Sequence, residues 1–180
     1  TTEGGSIEDC RKRFRPLTNQ KVCCTFLIGD GTHSFGDFNS LEEAAVHLPA
    51  AGGELCLLPG LHFANLTLTG RHNVRIHGCQ RRTLVLPRVT SPSAPIFTIN
   101  DCQGIEIAEL DLASAFGPIV VATGTVFSDL KDVSVVDCRM LAQSYAVRIR
   151  RAEDVVVARN HIWMLDTTAG KAAIQVRAHR

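Results

Sequence analysis

The sequence predicts an all-β fold, a single-stranded parallel β-helix of about five coils, from three observations. From Phe97 to Leu112, apolar residues come in pairs two positions apart, and three-residue gaps separate the pairs. The same pattern recurs with starts at Leu66, Thr125, Val147 and Ile174. Hairpin signals of the Asn-Gly or Asp-Gly kind, which antiparallel neighbours favour, occur only at Asp30-Gly31, before the repeats.

Each apolar pair is typical of a short strand whose alternate side chains face one interior, and each gap is typical of a corner. One coil of about 22 to 31 residues then holds three strands, and successive coils stack about 4.8 Å apart. On the third strand this stacking predicts a ladder of Cys79, Leu110, Cys138 and Asn160. We expect Cys79 and Cys138 to fill the core, and Asn160 to hydrogen-bond the backbone at a corner.

A helix is predicted at residues 40–48, just before the first coil strand at residues 55–58. Ser40 and Glu43 form a capping box, Pro49 ends the pattern, and an apolar stripe lies between them. The stripe consists of Leu41, Ala44, Ala45 and Leu48. Because the first turn of a solenoid exposes an apolar cross-section, we expect this helix to cap it, and a partner-binding role is the alternative.

The domain organisation follows from length and pattern. The chain has 180 residues, of which 45% are hydrophobic, which suits one core. We assign residues 1–21 to an arm or linker and residues 22–180 to the β-helix, which stops within a coil. Further coils or another subunit are therefore expected to cover the C-terminal end. The net charge of +1 indicates neither nucleic acid nor membrane as a partner, and no stretch suits a membrane span or a signal peptide.

The seven cysteines are mostly flanked by apolar residues, so the sequence predicts mainly reduced, buried thiols. Such thiols favour assembly in the cytoplasm, with or without later export, although the compartment stays open. Neither a CxxC pair nor an HExxH motif occurs, so no metal site is expected.

Three segments carry a resemblance to a known family. The stretch "GDGTHSFGDFNSLEEAAVHLPAAGGELCLLPGLHF" resembles the beginning of the pectin-lyase-like right-handed β-helix superfamily, and "NVRIHGC" and "DVVVARNHI" resemble its coils. The strand from Cys23 to Thr25 together with "GGELCLLPG" is similar to uncharacterised bacterial β-helix domains within longer proteins. The resemblance implies a right-handed coil and places Asn160 in an asparagine ladder. It implies no single chemistry, because the superfamily includes lyases, hydrolases, tailspikes, adhesins and non-catalytic modules.

In polysaccharide-acting members of that superfamily, the outer face of the first strand of each coil forms the substrate groove. The residues that we predict to bind a ligand on this face are Thr98, Asn100, Ser128, Arg148, Arg150, Gln175 and Arg177. A glycoside hydrolase needs two facing carboxylates, and this face offers none. The sequence therefore favours a non-catalytic module of a larger bacterial or phage-tail-like protein, a rod that presents a polar and basic face to polysaccharide or protein.

The alternative is a polysaccharide lyase or glycoside hydrolase whose catalytic centre is incomplete in this segment. A uronate lyase needs carboxylates for a calcium ion and a basic residue to take a proton. Asp101, Asp129 and Arg151 follow the first strand on successive coils and are the best candidates. The structural interpretation, in which the two aspartates cap corners and pair with arginines, is favoured. The module itself needs no cofactor, and only the lyase alternative implies calcium.

A further outward pair, Asp111 and Arg139, is predicted to form a surface ion pair with His161 beside it.

Overall fold

The structure is a computed structural model that describes residues 24–125, 130–166 and 172–178. Within these ranges the chain forms fifteen strands, one α-helix and one 3-10 turn. In chain order they are β1 (Phe26–Ile28), α1 (Leu41–Val46), β2 (Gly53–Leu57), β3 (Gly60–Phe63), β4 (Leu66–Thr69), β5 (His72–His77), the 3-10 turn (Gln80–Arg82), β6 (Thr83–Leu86), β7 (Phe97–Asn100), β8 (Gln103–Ala108), β9 (Asp111–Ser114), β10 (Val120–Thr123), β11 (Leu130–Val136), β12 (Arg139–Ala142), β13 (Val147–Ala158), β14 (His161–Met164) and β15 (Ile174–Ala178).

These strands build an all-β, parallel solenoid of about five coils, as predicted. Face 1 contains β4, β7, β10, the first half of β13 and β15. Face 2 contains β1, β2, β5, β8, β11 and the second half of β13. Face 3 contains β3, β6, β9, β12 and β14. The pairings within each face are parallel, so the inward side chains of successive coils stack into columns.

The predicted first strand of the third coil is wrong, whereas the later predicted positions of that coil, from Leu130 to Met140, are buried as the pattern requires. The sequence pattern starts this coil at Thr125, whereas the structure starts it at Val120, which pairs with Phe97 on one side and Val147 on the other. Val120 and Ala122 are fully buried in this column. The sequence pattern gave the wrong start because the extra residues before Leu130 also contain apolar residues at the expected spacing. Residues 126–129 of this stretch lie outside the described ranges.

The corners are made by residues in the left-handed backbone region. Coil by coil, they stand in three columns: Gly70, Asp101 and Arg151; Asn73, Gly104, Asp132 and Asp154; Glu109, Asp137 and Arg159. Glycine, asparagine and aspartate visit this region at the lowest cost, and they supply most of these positions. At these corners a left-handed residue turns the chain while the residues on either side still face the interior, which agrees with the three-residue gaps in the sequence.

The cysteines only partly follow the prediction. Cys102 and Cys138 are free, fully buried thiols, and burial raises the pKa of Cys138 to about 12, as expected of core filler. Cys24 and Cys56, in contrast, form a disulfide, and Cys79 is also disulfide-bonded. The prediction of mainly reduced thiols is therefore wrong for these three cysteines. Apolar flanks could not reveal which cysteines the coiling brings together.

The predicted helix is shorter than expected. It spans only Leu41–Val46, six residues, and Ser40 begins it by accepting a hydrogen bond from the Glu43 N–H at 3.4 Å. Its stripe of Leu41, Ala44 and Ala45 is buried, as predicted. None of the described helices is long and apolar enough to cross a membrane.

The loop before the helix is organised by Asp30, whose side chain is 2% exposed. Asp30 Oδ1 accepts the backbone N–H groups of Thr32, His33 and Ser34 at 2.7 to 2.9 Å. Asp30 Oδ2 accepts the N–H of Leu61 on β3 at 3.4 Å. A Cβ atom on Gly60, which has a φ of 148°, would collide with this carboxylate. The carboxylate therefore ties the glycine-rich loop to the first coil.

Asn160 hydrogen-bonds the backbone at a corner, as predicted. Its Oδ1 accepts the N–H of Cys138 at 2.9 Å, and its Nδ2 donates to the Val135 carbonyl at 2.7 Å. The Asn160 side chain thus connects its own coil to the preceding coil at this corner. Its neighbours in the column are cysteine and leucine, so one asparagine serves where the resemblance implied a ladder.

We expect Asn160→Ala to lower the free energy of unfolding by about 2 kcal/mol, because it leaves a buried N–H and a carbonyl without partners. Urea unfolding measures the loss. Asn100→Ala is the matched control, because the Asn100 amide makes no hydrogen bond within the described part of the chain. Equal stability of the two variants would contradict the structural role of Asn160.

Candidate functional site

The outer side of face 1 carries two columns of polar residues, which we call the basic face. The first column runs Thr67, Thr98, Val121, Arg148 and Gln175. The second runs Thr69, Asn100, Thr123, Arg150 and Arg177. The structure therefore places the predicted ligand-binding residues side by side on adjacent strands, except for Ser128. Ser128 lies outside the described residues, and the register correction puts Val121 and Thr123 at the outward positions of the third coil.

The arginines of the basic face lack acidic partners among the described residues. Among the described residues of these strands no outward side chain is acidic, and Arg148, Arg150 and Arg177 form no ion pair with any described residue. Arg148 and Arg150 are partly buried, and the Nε atom of each is shielded from solvent and makes no hydrogen bond within the described part of the chain. The basic face thus combines positive charge with donors that the described protein groups leave unused.

Arg148 is held in place by an aromatic ring. Its guanidinium carbon lies 5.0 Å from the ring centroid of Tyr145, which is a cation–π distance. Tyr145 precedes β13 by two residues, so the strand itself fixes the relative position of the two side chains. A guanidinium stacked in this way keeps its N–H edge directed outward, toward anything that approaches the face.

Of the candidate lyase residues, Asp101 and Arg151 lie in one corner column, two coils apart. In the observed register, the position between Asp101 and Arg151 belongs to Gly124, because Asn100, Thr123 and Arg150 are paired neighbours. Asp129 lies outside the described residues. Asp101 has a φ of 50°, and its Oδ1 accepts the N–H of Thr125 at 2.7 Å, so this carboxylate already serves a corner.

Face 3 contains the predicted ion pair between Asp111 and Arg139, with an N–O distance of 3.2 Å. Burial raises the pKa of Asp111 although Arg139 acts in the opposite direction. Arg139 also lies 5.6 Å from the ring centroid of Trp163, and His161 stacks on that ring. The pair is part of a partly exposed aromatic patch, of which the sequence analysis placed His161 but not Trp163, the next outward residue of β14.

A second group of polar residues, on face 2, was missed by the sequence analysis. One donor atom from each of Cys24, Glu54, Cys56 and His77 lies within 4.8 Å of the other three. We call these four residues the donor cluster. His77 pairs directly with Cys56 across β2 and β5, and Cys56 Sγ is 3.0 Å from His77 Nε2. Alignment of "GELCL" with "VRIHG" as successive coils would have placed these two residues together.

The electrostatics of the donor cluster favour a neutral imidazole. Burial, and secondarily the positive charge of Arg75, lower the pKa of His77 to about 4. The other end of the cluster is polar: Glu54 Oε2 lies 3.6 Å from His77 Nε2, and Arg75 Nη1 lies 3.8 Å from Glu54 Oε1. A neutral histidine, a carboxylate and two sulfurs thus meet at the outer side of face 2.

Comparison with known proteins supports the fold. No known family model and no curated protein match the chain. Among solved structures, the chain is similar to a mutant pectin methylesterase in complex with a hexasaccharide, with a TM-score of 0.55 and 13% sequence identity. The alignment covers 84% of this chain and 59% of that enzyme. Together with the parallel coils, this similarity shows that the chain has a right-handed parallel β-helix fold, as that enzyme does.

Proposed function

We propose that this chain is a carbohydrate-binding β-helix module whose basic face holds an acidic polysaccharide without cleaving it. The observation that carries the proposal is the set of three arginines on adjacent positions of face 1 without a described acidic partner. Carboxylate groups that repeat along a polysaccharide would supply such partners, and guanidinium groups bind carboxylates in a bidentate manner. The similar solved structure is a pectin methylesterase with a bound hexasaccharide, which supports a carbohydrate as the ligand class.

The energetics of the basic face support the same function. Arg150 and Arg177 are directly paired across β13 and β15, and like charges that face each other across strands destabilise a sheet. Arg148 is two residues from Arg150 on the same side of its strand, which adds to the repulsion. An anionic ligand would relieve this repulsion and would satisfy the shielded Nε atoms. The repulsion between these arginines lowers the stability of the unliganded protein, as is typical of binding surfaces.

A rod within a larger bacterial or phage-tail-like protein is the context that we infer for this module. Helix α1 lies against β1, β2 and β4, and its apolar side is buried there. In this proposal α1 shields the first coil, and the face 1 columns are the free surface of the rod.

The test is retention of the purified chain on polygalacturonate, with a neutral polysaccharide for comparison. We expect binding that weakens as salt is raised. The double variant Arg148→Ala/Arg150→Ala should raise the Kd by at least about tenfold, because each lost guanidinium–carboxylate pair contributes about 1 kcal/mol or more. Thermal unfolding checks that the fold is unchanged.

The matched control is Arg81→Ala/Arg82→Ala, which removes the same charge from an exposed turn elsewhere in the chain. This control should bind like the unmodified protein. Unchanged retention of Arg148→Ala/Arg150→Ala on every acidic glycan tested would overturn the proposal. Calcium-dependent formation of unsaturated product that is lost in Asp101→Ala would instead establish the lyase alternative.

A further inference from the structure

The donor cluster combines residues from three separate segments at one point. Glu54 and Cys56 are alternate residues of β2, so both face outward, and His77 ends the neighbouring strand β5. Cys24 is brought beside them by Thr25, whose N–H donates to the Glu54 carbonyl and whose Oγ1 accepts the Glu54 N–H, both at 3.0 Å. The backbone therefore holds the cluster in place before any ligand arrives.

The disulfide between Cys24 and Cys56 accounts for only half of the cluster. It does not explain why a buried histidine, 1% exposed, turns its Nε2 toward Cys56 Sγ. Nor does it explain Glu54 Oε2, which is shielded from solvent and accepts no hydrogen bond from the described residues. A shielded carboxylate oxygen without a hydrogen bond is costly. A cation bound between the sulfurs, the imidazole and this oxygen would remove that cost.

We propose that the donor cluster is a zinc site of the reduced protein, which the Cys24–Cys56 disulfide closes. Two sulfurs, one imidazole and one carboxylate are a donor set that suits tetrahedral Zn²⁺. Zn–S bonds of about 2.3 Å and Zn–N or Zn–O bonds of about 2.0 to 2.2 Å place tetrahedral ligand atoms about 3.3 to 3.8 Å apart. The 3.0 Å and 3.6 Å distances from His77 Nε2 to Cys56 Sγ and Glu54 Oε2 are already close to these values.

The reaction that opens the site balances as a thiol–disulfide exchange. A dithiol reductant transfers two electrons and two protons, the Cys24–Cys56 bond breaks, and the reductant is released as its own disulfide. Zn²⁺ then displaces the two thiol protons into solvent and binds both thiolates. The carboxylate of Glu54 and the lone pair of His77 Nε2 complete the tetrahedron. A disulfide oxidant reverses the sequence: its own S–S bond is reduced to two thiols, the Cys24–Cys56 bond forms again and the metal is released.

Arg75 has a positioning role in this site. Its Nη1 lies 3.8 Å from Glu54 Oε1, the oxygen that does not face the cluster, and its Nε donates to Glu106 Oε1 at 2.6 Å. A carboxylate held by one oxygen presents the other in a fixed direction, as in the outer shell of known metal sites. The arginine also offsets the negative charge of two thiolates and a carboxylate around a divalent ion.

The experiment titrates Co²⁺, and then Zn²⁺, into protein that has been reduced with dithiothreitol and freed of it by gel filtration under argon. We expect about one equivalent of Co²⁺ to give the thiolate charge-transfer and visible bands of a tetrahedral site, and Zn²⁺ to displace it. His77→Ala should weaken binding by at least about a hundredfold and Glu54→Gln by at least about tenfold. Zn²⁺ should also raise the Tm of the reduced protein.

The control is Cys102→Ala/Cys138→Ala, which removes the two described free thiols outside the cluster and should leave the affinity unchanged. Glu54→Gln keeps the shape of the side chain, so it remains informative even where His77→Ala fails to fold. Three results would each overturn the inference: reduced protein without a tetrahedral cobalt spectrum, equal affinity of the Glu54→Gln variant, or equal binding by the oxidised protein. Because the site lies on face 2, none of these outcomes bears on glycan binding by face 1.

Discussion

Phe97→Ala is expected to lower the free energy of unfolding by about 3 to 5 kcal/mol. Phe97 is 1% exposed and stands in the column of inward residues that runs through Leu66, Val120 and Val147. Its removal leaves a cavity between two coils, and the neighbouring coils cannot close on it because their spacing is fixed by backbone hydrogen bonds. In a solenoid each coil is stabilised by its neighbours, so the loss should reach the whole cooperative unit.

Phe116→Ala provides the matched control, because it makes the same chemical change at a residue that is 68% exposed. Its effect should stay within about 0.5 kcal/mol. Urea unfolding followed by circular dichroism measures both variants. If Phe97→Ala were as mild as Phe116→Ala, the assignment of Phe97 to the interior column would be incorrect.

Asp30→Asn is expected to lower the free energy of unfolding by about 2 to 3 kcal/mol, because the Asp30 carboxylate accepts several charge-assisted backbone hydrogen bonds. An amide keeps one acceptor oxygen, but its NH₂ group cannot accept the N–H of Leu61. The loop would then lose its link to the first coil. Asp132→Asn is the control, since Asp132 occupies an exposed left-handed corner where asparagine is equally well tolerated.

The Asp30 carboxylate should also make the free energy of unfolding depend on pH. Burial opposes ionisation of Asp30, but the hydrogen bonds from Ser34, Thr32, His33 and Leu61 outweigh it and hold its pKa far below the usual value of 3.8. A lowered pKa stabilises the folded protein above about pH 4 and ceases to do so as the pH falls through the folded-state value. The stability difference between the unmodified protein and Asp30→Asn should therefore shrink below about pH 4. A constant difference down to pH 2 would contradict this role.

The sequence by itself determined the coiled β-helix architecture, because the apolar residues recur at a regular spacing. Inward pairs such as Phe97 and Ile99, or Val147 and Ile149, alternate as strands require, and the gaps between pairs require corners. The same periodicity identified the outward arginines of the basic face and the backbone role of Asn160. Each of these features depends on the position of a residue within one repeat, which is local information.

Only the tertiary structure decided which residues of successive coils lie beside each other. The third coil begins at Val120 because Val120 and Ala122 fill the column between Phe97 and Val147, and the competing apolar positions after Thr125 could not be distinguished by pattern. The disulfide between Cys24 and Cys56 and the donor cluster likewise depend on residues 21 to 32 positions apart that meet only when coils stack. Contacts between coils depend on the number of residues that separate the paired positions. A single insertion therefore changes these contacts and leaves the local strand pattern intact.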